Sequence, residues 1–328
     1  MTKEAPSTQS PQAGSNPEVS IVMACFNAEQ YLNDAVQSAL AQRDIELEVI
    51  IVDDHSTDRS LTLANRLAQQ DKRVRVMQTP ANAGPGGARN VGLKAMRGEW
   101  YAMLDCDDAF EPSRCRTLID AANTLGAHMI ADDLLVFGDD LEEHKHLGSR
   151  AETPPRLITL DDYFDATRMF GPKPNLGFLK PLVRRETMLK GSHFYREDLK
   201  IGEDDELVVQ LLLAGSRYFV SCDAMYRYRK HEASISHRLS VDHSARMTAS
   251  EELVRASVLA AGRDSPAYRA RYSSILDAAA FTKAVDALKA RDFGSALREV
   301  AARPGSVRHF SMPLSSRLAK LRARLGLS

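Results

Sequence analysis

The stretch from Glu99 to Pro112, EWYAMLDCDDAFEP, limits the possible folds more than any other part of the chain. Trp100 to Leu104 are apolar, and Asp105, Asp107 and Asp108 follow at once. An apolar run of about five residues with a polar stop fits a strand buried on both faces of a parallel sheet. A strand that ends in carboxylates places negative charge at a sheet edge, where open α/β proteins hold their ligands. Carboxylates this close repel one another, and burying them adds a desolvation cost. A divalent cation relieves both, and an all-oxygen ligand set suits magnesium or manganese rather than zinc. In an extended segment Asp105 and Asp107 face one side and Asp108 the other. The same residues also fit an Asp-rich loop that merely caps the next helix.

Around this stretch the chain reads as repeated strand-helix units. Val19 to Cys25 is the first strand, followed by a helix from about Ala28 to Gln42 with Asn27 as its cap. Glu48 to Val52 is the second strand; Asp53 and Asp54 close it, and Thr57 caps a helix to about Gln70. Val74 to Met77 is the third strand. ANAGPGGARN reads as a tight loop able to cradle a phosphate or simply turn a corner, with Arg89 and Asn90 opening the next helix. It is not a P-loop, because no Gly-Lys-Ser/Thr follows. A helix over Ser113 to Gly126 and a strand within Ala127 to Phe137 complete the series. Such alternation specifies an α/β domain, a mostly parallel sheet with helices on both faces and all strand ends at one edge. Asp54, Asp105 and Asp107 are therefore expected to meet there.

Beyond Gly138 the pattern loosens, with a short strand expected from Phe178 to Val183. GEDDELVVQLLL, from Gly202 to Leu213, has four acids at its start, more than helix capping needs. Strands follow at Tyr218 to Val220 and Ala224 to Arg229, and HEASISH carries His231 and His237. Ser244 to Ala302 reads as helical, its last part an antiparallel pair. Leu314, Leu318, Leu321 and Leu325 form one stripe among Arg317, Lys320, Arg322 and Arg324. Such a basic amphipathic helix suits an anionic membrane surface, and equally a helix packed on the protein. Residues 1–17 are expected to be a disordered leader, 18–240 the catalytic domain and 241–328 a helical C-terminal region.

Bulk composition excludes some classes. Net charge is −1 and no basic stripe crosses the main domain, which argues against nucleic acid. Cys25, Cys106, Cys115 and Cys222 lack metal-ligand spacing and read as reduced thiols of a cytoplasmic protein. No run of 18 apolar residues occurs and the N-terminus has no apolar signal segment. The expected location is the cytoplasm, with peripheral contact at the inner face of the plasma membrane through the C-terminal helix.

Five blocks resemble, in order, the family 2 glycosyltransferases. They are VSIVMACFNAEQYLNDAVQSALAQ, EVIIVDDHSTDRS, NAGPGGARNVGLKAMRGEWYAMLDCDDAFEP, GEDDELVVQLLLAG and YRYRKHEASIS. The resemblance covers residues 18–238 and implies the GT-A nucleotide-diphospho-sugar transferase fold with a C-terminal helical extension. Within the family it points to bacterial enzymes of succinoglycan-type exopolysaccharide assembly. It implies Asp204 as catalytic base, flanked on the acceptor side by Glu203 and Asp205. It implies Phe26, Asp54, Arg89 and Asp105 as nucleotide contacts, and Asp107 and His231 as the residues at a Mg2+ or Mn2+ ion. Asp108 takes a structural part. The Gln-x-x-Arg-Trp block of processive synthases is absent after the base, where Gln210, Leu211, Leu212 and Leu213 stand, so addition of a single sugar is expected.

The resulting expectation is an inverting, metal-dependent transfer from a UDP-sugar, UDP-glucose first, to a saccharide acceptor carried on lipid. Two other readings stay open. One is a sugar nucleotidyltransferase, which shares the sheet and the metal chemistry but wants a Gly-rich basic loop where Ala24, Cys25, Phe26 and Asn27 stand. The other is a GT-A scaffold without turnover.

Overall fold

A computed structural model describes residues 16–139, 141–148, 154–191, 194–199, 201–231 and 240–310. All but the last two residues of the expected leader, the expected Leu-striped helix near the C-terminus and His237 lie outside these residues.

The first four strands are β1 (Val19–Cys25), β2 (Leu47–Asp53), β3 (Val74–Gln78) and β4 (Trp100–Met103). Each is separated from the next by a helix: α1 (Leu32–Leu40), α2 (Ser60–Gln70) and α3 (Gly84–Ala95). β1 pairs in parallel with both β2 and β4, and β2 with β3. The apolar runs explain this directly: every residue of β2 and β4 is buried, so no polar face was available for water.

The second half mixes strand directions. β5 (Ala109–Phe110) and α4 (Arg114–Leu125) lead into the long β6 (Met129–Gly138). The excursion that follows holds β7 (Leu141–Lys145), β8 (Arg156–Ile158) and α5 (Leu160–Ala166). β9 (Leu182–Arg184) then inserts antiparallel between β4 and β6, before α6 (Arg185–Lys190), α7 (Glu203–Leu213) and β10 (Tyr218–Arg229). The sheet order is β3-β2-β1-β4-β9-β6-β10-β5, with β7 on β6 and β8 on β10. β10 runs parallel to β6 with register shifts near Ala224, so the two strands expected there are one bulged strand. The expected strand at 178–183 begins later, because Leu176–Phe178 forms a 3-10 turn instead.

Two further expectations are corrected. The Gly-Pro-Gly-Gly segment is the first turn of α3 rather than a loop, with its proline in the opening turn where a missing N–H costs nothing. Its glycines answer to packing. A Cβ on Gly86 would stand 3.2 Å from the Tyr195 Cβ, and one on Gly92 would strike Val22 of β1. Asn27 is not the cap of α1, which starts only at Leu32; it adopts a left-handed φ of 50° and its Oδ1 accepts from the Thr57 N–H at 2.8 Å. That bond joins the loop after β1 to the loop after β2.

The C-terminal helices are α8 (Val241–Ala260), α9 (Pro266–Lys289) and α10 (Phe293–Ala302). α9 and α10 form the expected antiparallel pair. α8 packs on α7, and α9 on α5, so this region covers the α5 and α7 side of the sheet domain.

Candidate active site

Strand ends and helix starts meet along one edge. Asp54 follows β2 and is 3% exposed. Its Oδ1 accepts from Thr79 Oγ1 at 2.7 Å and the Ala83 N–H at 2.8 Å, and its Oδ2 accepts from the Gly84 N–H at 2.8 Å. Asp54 thus caps α3, neutralised by backbone donors and the positive end of that helix.

About one and a half turns further along α3, Arg89 emerges with a side chain 5% exposed. One terminal nitrogen donates to Glu203 and Asp204, the other to Asp105, all at 2.8 Å. Its guanidinium lies 5.3 Å from the centre of the Tyr195 ring. Opposite Arg89 stands Lys180, whose Nζ is 2.9 Å from both Asp105 Oδ2 and Asp204 Oδ2. Asp105 and Asp204, 99 positions apart in sequence (204 − 105), are clamped between the same two cations.

Burial works against charge here, and the partners decide the outcome. It would raise the Asp105 carboxyl, but Lys180 and Arg89 outweigh it and hold the group well below the usual carboxylate range. Burial would lower Lys180, but Asp105 and Asp204 keep its ammonium firmly protonated. Glu203 is pushed up, by burial first and then by neighbouring Asp204, with Arg89 only partly compensating.

The position of Lys180 is itself fixed from behind. Its carbonyl accepts from Arg114 Nη2 at 2.6 Å, and Arg114 forks onto Asp132 at 3.0 and 2.8 Å. Both members of that pair are fully buried. Neither Lys180 nor the Arg114–Asp132 fork was among the expected site residues. The available signal was a lone lysine inside the apolar run GFLKPLV, which a strand-side position would bury.

Asp107 faces a different environment. Its Oδ2 is 2.9 Å from His231 Nε2, with the side chains 35% and 18% exposed. The His231 ring lies 5.1 Å from that of Tyr31. Arg229 donates its Nε–H to the Asp107 carbonyl at 2.9 Å. Asp105 and Asp107 hold different partners, although an extended segment would align them. The strand stops at Met103, and a turn closed by the Asp108 N–H on the Asp105 carbonyl at 3.1 Å breaks the alternation. Asp108 points inward, accepting from Tyr226 Oη at 2.8 Å and the Arg229 N–H at 2.7 Å. Phe26, at the end of β1, is 51% exposed, an aromatic face left open beside the loop that Asn27 anchors.

Asp205 does not join its neighbour. Both its oxygens bind Arg271 of α9, at 3.0 and 2.6 Å, and Oδ1 also accepts from Tyr163 Oη at 3.0 Å. Successive helical residues point about 100° apart, so one acidic run serves two sides of α7. Asp205, expected beside Asp204 on the acceptor side, is placed in contact with Arg271 and Tyr163.

Among the described residues no three His, Cys, Asp or Glu side chains form a ready metal cage. Asp107 and His231 offer a partial set instead, which suits an ion completed by substrate phosphates and water.

A GT-A sheet whose strand-end acids face a helix-borne carboxylate defines a sugar-nucleotide transferase fold. The chain belongs to the glycosyl transferase family 2, whose pattern matches residues 20–183. It is 35% identical to the succinoglycan biosynthesis protein ExoO of Rhizobium meliloti over 94% of this chain and 88% of that one. It is 33% identical to ExoU of the same organism, over 67% of this chain and 65% of that protein. The S. aureus TarS structure comprising residues 1–349 superposes with a TM-score of 0.62 at 18% identity, covering 88% of this chain and 92% of that chain. The mannosyltransferase PcManGT of Pyrobaculum calidifontis, in complex with GDP-Man and Mn2+, gives 0.53 at 16% identity, covering 96% and 83%. No helix among the described residues is long and apolar enough to cross a membrane.

Proposed function

We propose that this family 2 glycosyltransferase transfers one sugar with inversion from a UDP-sugar, UDP-glucose first, to a lipid-linked saccharide during exopolysaccharide assembly. One observation carries the reading: Asp204, 20% exposed at the start of α7, is oriented by Arg89 and Lys180 beside Asp105. The chain is similar along most of its length to a succinoglycan biosynthesis protein, and TarS has been seen with UDP and UDP-GlcNAc. Those likenesses support the substrate class.

In this reading the donor nucleotide lies across the ends of β1 and β2, with its base against Phe26 and near Asp54. Asp54 already caps α3 with both oxygens and Oδ1 accepts twice, yet Oδ2 has a second lone pair to offer. Asp105 faces the ribose, and Arg89 lies near the nucleotide. Asp107 and His231 would hold a Mg2+ or Mn2+ ion with the diphosphate. When bound, that ion neutralises the charge that builds up on the departing nucleoside diphosphate.

The protein's own part is positional and basic. An acceptor hydroxyl approaches the anomeric carbon from the side opposite the diphosphate. Its oxygen forms the new bond to carbon as the bond to phosphate oxygen breaks, and its proton passes to an Asp204 oxygen. Lys180 and Arg89 keep that carboxylate aimed, so little reorganisation accompanies the reaction. Glu203 shares Arg89 and fixes the start of α7 from the other side. The Leu stripe of residues 314–325 fits work at the inner membrane face, where a lipid-linked acceptor resides.

The test is release of nucleoside diphosphate from a panel of UDP- and GDP-sugars with Mg2+ or Mn2+, repeated with Asp204→Asn. Turnover lost by that change, with donor binding kept, is the expected result. Pyrophosphate release from a nucleoside triphosphate and a sugar phosphate would point to a nucleotidyltransferase instead. No turnover with any donor and acceptor extract would leave a scaffold.

A further inference from the structure

The C-terminal helices meet the catalytic domain at one buried guanidinium. Arg271 of α9 is 4% exposed and every nitrogen of its guanidinium is engaged. Nη1 donates to Asp205 Oδ1 at 3.0 Å and Thr167 Oγ1 at 2.5 Å; Nη2 donates to Asp205 Oδ2 at 2.6 Å and Glu251 Oε2 at 2.7 Å. Nε donates to Glu251 at 3.1 Å. Four elements converge there: α7 through Asp205, α8 through Glu251, α9 itself, and the end of α5 through Thr167 and Tyr163. Stability alone is a poor reason for such a cluster, because well-packed apolar residues often serve as well or better. What the fork supplies is a fixed direction and distance.

The fork acts on the residue beside Asp204. Two separate contacts reinforce it at the same helix. Gly202, the residue before α7, has a φ of 80°, and a Cβ there would stand 2.9 Å from Ser250 Oγ of α8. Two turns further on, Gln210 Nε2 donates to Ser257 Oγ at 2.8 Å. The first turn of α7 is thus set against α8 and α9 on one side, while Asp204 reaches Arg89 and Lys180 on the other.

We propose that Arg271 is a positioning residue for transfer, holding α7 through Asp205 so that Asp204 meets the acceptor hydroxyl; this rests on reading Asp204 as the base. The helical extension is then part of the active site's framework, and its displacement would lower turnover without weakening the donor site. A misplacement of about 1 Å at a reacting group costs roughly a hundredfold in rate.

The experiment compares wild type with Arg271→Lys, Arg271→Met and the milder Asp205→Asn, which keeps the shape of the contact. Amide exchange is followed over residues 201–213 and over β1 and β2. Turnover is measured with whichever of UDP-glucose, UDP-galactose, UDP-GlcNAc and GDP-mannose is used fastest. We expect faster exchange confined to the first turn of α7, kcat lower by about 10- to 100-fold, and donor KM within about twofold. In an Asp204→Asn background the Arg271 change should lower kcat no further. Unaltered exchange at 203–206, or the same proportional loss of kcat with and without Asp204, would overturn the proposal. If Asp204→Asn itself keeps full turnover, the base assignment fails, while the exchange data still decide whether Arg271 holds α7.

Discussion

The acids at the sheet edge fall into two groups that solve the same electrostatic problem differently. Asp105, Glu203 and Asp204 are enclosed; Asp105 and Asp204 lie between Arg89 and Lys180, and Glu203 shares Arg89. Asp107 lies further out, paired with one imidazole and one-third exposed. Each inner carboxylate already touches a cationic side chain, whereas the outer pair stands open to solvent. The contrast separates orientation from binding. In the proposed reading the inner cations aim a base, and a metal would sit with Asp107, where the donor diphosphate would finish its coordination.

The sharpest way to break that contrast is Lys180→Met. It leaves Asp105 and Asp204 facing each other with only Arg89 between them. Breaking a buried pair in this way costs about 3 kcal/mol, and the freed carboxylates lose their aim. We expect turnover to fall by more than about a hundredfold, with reduced stability in urea unfolding. Normal kcat would show that the inner cations are dispensable.

Asp107→Ala probes the other member. Loss of a ligand-side carboxylate should weaken metal-supported UDP binding by about 10- to 100-fold, read by calorimetry with and without Mn2+. Because the side chain is well exposed, the unfolding midpoint should barely move. Equal UDP affinity with and without metal in wild type would place no ion at this pair.

Gly92→Ala asks whether the scaffold under Arg89 must be exact. The new methyl would collide with Val22 of β1, pushing α3 outward and carrying the Asp54 cap and Arg89 with it. Overpacking costs about 1–3 kcal/mol and the helix gains up to about 1 from alanine. We expect a net loss of about 1–2 kcal/mol in chemical denaturation and a several-fold lower kcat. Unchanged activity in a destabilised variant would mean that the inner cluster tolerates a shifted α3.

How much of this was legible beforehand follows from which forces wrote it. β1, β2 and β4 announce themselves because strands buried on both faces must be continuously apolar. Asp54, Asp105 and Asp107 could be placed at their ends by topology alone. The start of α3 could not: Gly84, Gly86 and Gly87 look like a loop until Tyr195 and Arg196, over a hundred positions away, are seen against Gly86. Lys180 sits in a stretch without periodicity, and its role depends on β9 entering between β4 and β6. The partner of Asp205 is a different case. Helical geometry already separates Asp205 from Asp204, so treating the acids as one group ignored a signal that was present.

The smallest expected effect concerns Asp108, the inward residue between the two groups. Burial first, then Asp107 and Asp105, push its carboxyl well above the usual range, with the Arg229 N–H and Tyr226 hydroxyl opposing only in part. In the unfolded chain an aspartate titrates near about 4. Above that pH the folded protein therefore holds a proton that the unfolded chain has released, and stability falls as pH rises through the window up to the raised folded value. Asp108→Asn removes this titration. Its amide oxygen can still accept from the Arg229 N–H, while its NH2 can meet the Tyr226 oxygen. Relative to wild type, Asp108→Asn should gain stability as pH rises above about 4, in denaturation curves taken at several pH values. Parallel curves for the two proteins would mean that Asp108 ionises in the fold as readily as in the unfolded chain, so that its burial is offset by the Arg229 N–H and the Tyr226 hydroxyl.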